Sequence, residues 1–541
     1  MLIGIIITWY SRMFFYLPNF FSNKRLILII SALILCIFVA HLFDLDSIPA
    51  GFFQDESSIA YNAALIAQTG KDEYNISFPI YFKSFGDYKA PIYIYTVALI
   101  FKLFGVSEFN SRLASFIFYI LALIFTFLLI RIIFKKNFLI EIYILLTFGF
   151  LPHFFTISRI SFEVISQLAS ISLVVLLVKL TFHAKTGQIW WFNSLFCGLI
   201  LGVSLYTYPT GRLLTPLMLI SLWVVYFKKK NIQKLALITI GFVATLIPYI
   251  TFAVNNPGAL SARFKVITYL YRDISPTKKI SIFLYNYLRY LSPDFLTKYG
   301  DGNLRHSTGY GGVIFPITFF LFLIGLIYIF YYRKVFSRFN IFLLINMMVS
   351  PIAGSLTANG VPHALRGILL SYYILIFSCY GFQLILSIKR YRSRKIMIIC
   401  TYIILSLEII GYTCNYFIDY APKSIEAMES FNFKNSLQTA IDQSPEEILF
   451  APYFSNEKAH LKFYSYLIKN PHNIPVKIIH LDESVPKLQN RCLLYYTRSE
   501  SKVSKFPYSF TEFRNEMEMS KIKKFLNIHA PNARTRVRCF K

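Results

Sequence analysis

Acidic residues are scarce in this chain, 27 Asp plus Glu in 541 residues, yet two stand together in GFFQDESSIAYNAALIAQTG (residues 51–70), directly after a long apolar segment. Lys83, Asp87 and Lys89 follow Asp55 and Glu56 in the same polar stretch. Arg112 opens the next apolar segment, and Arg159 and Glu163 occupy a turn between two others. Arg212 follows in YTYPTGRLLTP, Arg305 and His306 in SPDFLTKYGDGNLRHSTGYGG (292–312), and His363 and Arg366 in VPHALR (361–366). A carboxylate can take the proton of an attacking hydroxyl. Arg and Lys can hold the negative charge that develops on a departing phosphate, Arg through its planar fork. A phosphate is already a weak base, so the leaving group needs no protonating acid. One carboxylate among several cations is therefore the minimal kit for inverting transfer of a sugar from a polyprenyl phosphate. Composition alone does not single out that reaction.

These residues must be positioned by a membrane scaffold. The chain is 56% hydrophobic, 18% aromatic and only 15% charged, a composition foreign to soluble domains. Apolar segments recur at about 26–43, 112–133, 138–156, 163–182, 190–208, 212–227, 235–253, 313–332, 339–357, 365–387 and 396–414. The expectation is an α-helical polytopic membrane protein with about eleven transmembrane helices. Lys and Arg number 55, a net charge of +28. No nucleic-acid motif accompanies that excess, so the partners expected are membrane lipids and no nucleic acid. With Lys24-Arg25 in the cytoplasm, Lys135-Lys136, Lys228–Lys230, Arg333-Lys334 and the 389–395 run all fall on that side, as the positive-inside rule requires. The residues that could do chemistry then share the outer face. A channel or ion-coupled carrier more typically keeps its charges near the bilayer midplane.

Residues 1–25 read as an interfacial lead-in, 26–414 as the transmembrane domain, and 415–541 as a small extracytoplasmic α/β domain. The first outer loop, 44–111, carries helical patterns at 57–69 and, between Pro91 and Gly105, at 91–104; both are expected to lie in the interface plane. A second outer loop spans 254–312. In the C-terminal part 446–453, 476–480 and 491–496 read as strands, and 456–468 and 511–526 as helices. No CxxC occurs. Cys36, Cys197, Cys379 and Cys400 read as small hydrophobes in the spans, while Cys492 and Cys539 are able to pair outside the cytoplasm.

Three stretches carry a family likeness: QDESSIAYNAALIAQTG, DYKAPIYIYTVALIFKLFGVSEFNSRLAS and SRISFE. They resemble the glycosyltransferase C-superfamily, in its bacterial protein O-mannosyltransferase-like branch that includes lipid A aminoarabinose and galacturonic acid transferases. SPDFLTKYGDGNLRH and LTANGVPHALRG resemble a less characterised bacterial subgroup, and the likeness covers about residues 25–390. It implies a multi-pass plasma (inner) membrane enzyme with its site outside the cytoplasm. The donor would be a lipid-linked sugar of the undecaprenyl-phosphate type, and the acceptor an envelope glycolipid, glycan or protein. It also implies Asp55 as catalytic base, Glu56 as its helper or an acceptor contact, and Glu163 as a second carboxylate. Lys89, Arg112, Arg159, Arg212, Arg305 and Arg366 are the candidate phosphate-binding residues, and Tyr61, Asp87, His306 and His363 the candidate acceptor or sugar contacts. Relatives often carry a Thr-Lys pair where this chain has Thr207-Tyr208, and Arg212 is the candidate for the missing charge. A divalent cation bridges acid and phosphate in oligosaccharyltransferase relatives. The mannosyltransferase-like branch does without one, so no required cofactor or metal is expected.

Each residue also has a plainer role open to it. Asp55 could cap the following helix, Arg112 could snorkel, Glu163 could cap an interface, and both histidines could be satisfied loop residues. A protein O-glycosyltransferase, a lipid-linked sugar flippase and a non-catalytic scaffold remain as rival functions.

Overall fold

The computed structural model describes residues 24–183 and 190–428, then 430, 432–443, 445–451, 458–468, 474–479, 490–496, 510–513 and 535–540. Residues 1–23 of the expected lead-in lie outside the described residues. α1 (Lys24–Leu42) runs into an irregular stretch, 43–53. α2 (Gln54–Thr69), the hairpin β1 (Phe82–Ser84) and β2 (Asp87–Lys89), and α3 (Pro91–Phe104) follow. Next come α4 (Glu108–Ile133), α5 (Phe138–Phe150), the short α6 (Pro152–Ile157), α7 (Val164–His183), α8 (Trp190–Val203), α9 (Gly211–Tyr226) and α10 (Ile232–Asn255). After α11 (Ala262–Ile267) and α12 (Pro276–Leu291) come α13 (Pro316–Tyr331), α14 (Arg338–Val349), the single turn α15 (Ile352–Ser355), α16 (Ala364–Leu386) and α17 (Tyr391–Cys414).

Each of the eleven apolar segments contains a helix. Five helical stretches among the described residues are long and apolar enough to cross a membrane: Glu108–Ile133, Val164–Phe182, Lys229–Asn255, Ala364–Leu386 and Tyr391–Ile425. α7 and α16 form the buried centre, whereas α10 and α17 turn apolar side chains such as Val254, Ile247, Ile403 and Leu407 outward. In a bilayer that surface is solvated by acyl chains and costs nothing to expose.

Local signals set the helix ends that matter for the site. Pro91 starts α3 at a position where its missing N–H is not needed, and Gly105 follows its end at φ 86°. Ser107 caps α4 by accepting from the Asn110 amide at 3.0 Å. α2 begins at Gln54, earlier than expected, and Asp55 is not its cap. Glu56 instead reaches back to accept from the Phe53 amide, 3.0 Å, which is half of a capping box. Nine of its sixteen residues are buried, so α2 does not lie free in the interface. The second outer loop is not a plain loop either. α12 buries Asn286 and Tyr290 and exposes Ile280, Leu284 and Leu288.

The C-terminal domain comprises α18 (Ala421–Met428), α19 (Phe433–Asp442), β3 (Glu447–Ala451), α20 (Lys458–Ile468), β4 (Val476–Ile478), β5 (Arg491–Tyr496), β6 (Phe510–Phe513) and β7 (Thr535–Phe540). The strand order is β4-β3-β5-β7-β6, with β3 parallel to β4 and β5, and β7 antiparallel to β5 and β6. Cys492 and Cys539 face each other in the β5–β7 register and form a disulfide. Residues 511–513, expected in a helix, belong to β6; 514–526 lie outside the described residues. α3 and α20 both pack on α2 and together account for its burial.

Candidate active site

The irregular 43–53 stretch turns its carbonyls inward, where each needs a donor. Arg112 donates to the carbonyls of Leu45 and Pro49 at 3.0 Å and of Gly51 at 2.5 Å, and also pairs with Glu56 at 3.0 Å. Arg159 donates to the carbonyls of His41 at 2.6 Å, Phe43 at 2.7 Å and Ile48 at 3.1 Å. Both guanidinium groups are fully buried. Their expected phosphate-binding role is corrected, because their donors are already spent on the chain itself. Glu56 is corrected with them: its two oxygens accept from Arg112, the Phe53 amide and the Ser161 amide, leaving no access to a substrate. Together these groups fix the entry to α2 and hence the direction of Asp55.

Asp55 points the other way, into a cavity of about 820 Å³. The β1–β2 hairpin closes over it through a two-residue turn, Phe85-Gly86, with both φ values positive. The hairpin delivers Lys89, whose Nζ donates to Asp55 Oδ1 at 2.7 Å; the Asp55 side chain remains 36% exposed. Glu163 stands at the head of α7 and accepts from the Ala90 amide at 2.7 Å. Burial pushes its carboxyl up to about 7, Lys89 opposing and Asp55 adding to the rise. Burial alone would lower the Lys89 ammonium, but Asp55 and Glu163 more than reverse that and keep it charged. Asp87, raised first by burial, lies within reach of the fields of Lys89, Arg212 and Arg263.

Arg212, at the start of α9, holds its guanidinium over the Tyr81 ring at 5.2 Å and donates to the Leu260 carbonyl at 2.5 Å. Its Nε and Nη2 have no protein acceptor among the described residues. Arg305 lies over the Phe53 ring at 4.3 Å, and Arg366 donates to Thr357 Oγ1 at 2.7 Å. Both line the cavity with Arg212, Lys89, Asp87, His306 and His363. Tyr61 does not; it faces Tyr466 and Lys462 of the C-terminal domain, which corrects its expected sugar contact. Arg263, Asn303, Tyr249 and Tyr208 also line the cavity, and the first three were missed. Arg263 sits in a stretch that reads as plain loop from sequence, so no signal marked it. Asp301 was missed too, although the Asp-Gly-Asn turn beside His306 marked its position.

The sequence profile of the family described as dolichyl-phosphate-mannose-protein mannosyltransferase matches residues 88–254, under half of the chain. No curated protein matches. Among solved structures, ArnT from Cupriavidus metallidurans in the apo state superposes with a TM-score of 0.57 at 13% identity, covering 95% of this chain and 97% of that one. The same protein bound to undecaprenyl phosphate gives 0.52 at 12%, covering 94% and 97%. An Archaeoglobus fulgidus oligosaccharyltransferase tethered with an acceptor peptide gives 0.53 at 12%; the alignment covers 83% of this chain and 64% of that one. The chain therefore shares its fold with ArnT and with the oligosaccharyltransferase.

Proposed function

We propose that this chain, built on the glycosyltransferase C fold, moves a sugar from a polyprenyl-phosphate donor to an acceptor hydroxyl at the outer face of the plasma membrane. The observation that carries the reading is Asp55: an accessible carboxylate, paired with one lysine, in a cavity that also holds Arg212, Arg263, Arg305 and Arg366. The donor phosphate competes with Asp55 for Lys89 and adds Arg212, Arg305 and Arg366 as ligands. Losing Lys89 to the phosphate leaves Asp55 free to take the proton of the incoming hydroxyl. The acceptor oxygen bonds to the anomeric carbon from the face opposite the phosphate, and the C–O bond to phosphate breaks with its electrons held by the cations. Glu163 keeps the Lys89 strand in place through the Ala90 amide. Asp87, His306 and His363 are placed to meet the sugar or the acceptor. In this reading the transfer step itself calls on no cofactor.

The cavity sits at the N-termini of α9 and α16. The other ends of these helices lead into Lys228–Lys230 and Lys389-Arg390. Basic ends face the cytoplasm, which supports an outward-facing site. An envelope glycolipid or glycan fits as acceptor. The likeness to an oligosaccharyltransferase holding a peptide favours a protein acceptor as the second reading, and an acceptor screen separates the two.

The direct check uses synthetic polyprenyl-phosphate sugar and the purified chain. Asp55→Asn should lower kcat by about 100-fold or more with donor binding retained. Lys89→Met should raise the donor KM as well. Near-normal turnover of Asp55→Asn refutes the base assignment.

A further inference from the structure

At the wall of the same cavity, Asp301, His306 and His363 bring one carboxylate and two imidazoles together. Each offers a donor atom, and the three atoms lie within 4.8 Å of one another. His306 Nδ1 stands 2.8 Å from Asp301 Oδ2, and His363 Nδ1 stands 3.9 Å from the same oxygen. The two rings stack at 4.5 Å, only 27° from parallel, so both Nδ1 atoms face one point. His306 is 5% exposed and its Nδ1 is engaged by Asp301, whereas His363 Nδ1 completes no hydrogen bond with any described group. Two buried ring nitrogens converging on one oxygen are more than an Asp–His pair needs. One N–H would satisfy the carboxylate, leaving the second imidazole without purpose.

We infer that Asp301, His306 and His363 form a binding site for a divalent transition metal, with zinc the best match. Two imidazole nitrogens and a carboxylate oxygen are a donor set that zinc favours over magnesium or calcium. Ligand atoms of tetrahedral zinc lie about 3.3 Å apart, a small adjustment from the separations present. The remaining lone pair of Asp301 Oδ2 is engaged by the Ala364 amide at 2.7 Å, the kind of outer hydrogen bond that orients a ligating carboxylate. His306 and His363 line the cavity and Asp301 lies behind them, so the fourth position opens inward. Arg305 and Arg366 on the same wall make an anionic oxygen the fitting fourth ligand. The metal would also tie the 300–310 loop, which carries Arg305, to the head of α16, which carries Arg366. None of this depends on what the cavity transfers.

The full chain in detergent, stripped with chelator, is titrated with zinc by calorimetry while bound metal is counted by mass spectrometry. One equivalent should bind at micromolar affinity or tighter, falling about tenfold or more in His306→Ala and in Asp301→Asn. Cobalt in place of zinc should give the strong visible bands of a four-coordinate site. Binding well below one equivalent overturns the site, as does full binding by the double variant His306→Ala, His363→Ala. Should the variants fail to fold, the wild-type cobalt spectrum decides: the weak bands of six-coordinate cobalt refute it.

Discussion

Asp55 and Glu56 are neighbours with opposite fates, because consecutive helical side chains point about 100° apart. Glu56 turns into the protein and is locked to Arg112; Asp55 turns into the cavity. Their substitutions should therefore separate cleanly. Arg112→Met strands a buried carboxylate, and a loss of about 3 kcal/mol or more is expected in detergent unfolding. Asp55→Asn should cost less stability than Arg112→Met, because Asp55 is partly exposed, while lowering kcat by about 100-fold or more. Glu163 gives a pH signature. Its folded value of about 7 exceeds the ordinary carboxylate range, so the folded protein keeps this proton after the unfolded chain has released it. Its contribution is fully present below the unfolded value of about 4.3 and is lost as pH rises through 7. Melting scans between pH 5 and 8 should show the stability of wild type relative to Glu163→Gln falling with pH, by at most about 1.4 kcal/mol per unit. A pH-independent difference would remove Glu163 from this role.

At the scale of elements, glycines set how closely helices approach. A Cβ on Gly381 of α16 would meet the Leu321 carbonyl of α13 at 1.9 Å, and one on Gly325 of α13 would meet the Phe377 carbonyl at 2.1 Å. Small residues let backbones touch where lipid provides no hydrophobic drive for association. Gly381→Val must push α13 from α16, and about 3 kcal/mol of destabilisation is expected from the overpacking. The head of α16 carries His363 and Arg366, so donor KM should rise in the surviving protein. Unchanged melting and KM would mean the helices part at no cost.

Across the whole molecule, the C-terminal domain braces the helix that holds Asp55. His460 Nδ1 meets Ser57 Oγ at 2.7 Å, and Phe463 stacks on Phe52 with ring centres 5.5 Å apart. Tyr464 donates to Glu108, while Ser424 and Ser430 accept from the Ala50 and Phe52 amides. Phe463→Ala opens a buried void and should cost about 3 kcal/mol or more, with turnover reduced about tenfold as α2 shifts. Lys462 pairs with Glu73 at 2.6 Å but is half exposed, so Lys462→Ala should cost under about 1 kcal/mol. Equal effects of the two changes on turnover would show that the domain does not position α2.

Apolar runs and helix-stop pairs such as Pro91 and Gly105 are local features, and they sufficed to locate the apolar helices, the first-loop acid and three of the five described C-terminal strands. The bilayer makes this possible, because it rewards apolar length directly and leaves the backbone few alternatives. Which cations are free was not legible. Arg112, Arg159, Arg212, Arg305 and Arg366 look alike in sequence, each beside a span end. Only the folded chain reveals that carbonyls from the end of α1 and the 43–53 stretch consume the first two, while the last three line the cavity. The Asp301, His306 and His363 cluster was hidden for the same reason: about sixty residues separate its members, and no local pattern records their approach. Sequence determined where the membrane holds the chain; tertiary structure decided which charges still face a substrate, because a hydrogen bond to a distant carbonyl leaves no mark on the residue that makes it.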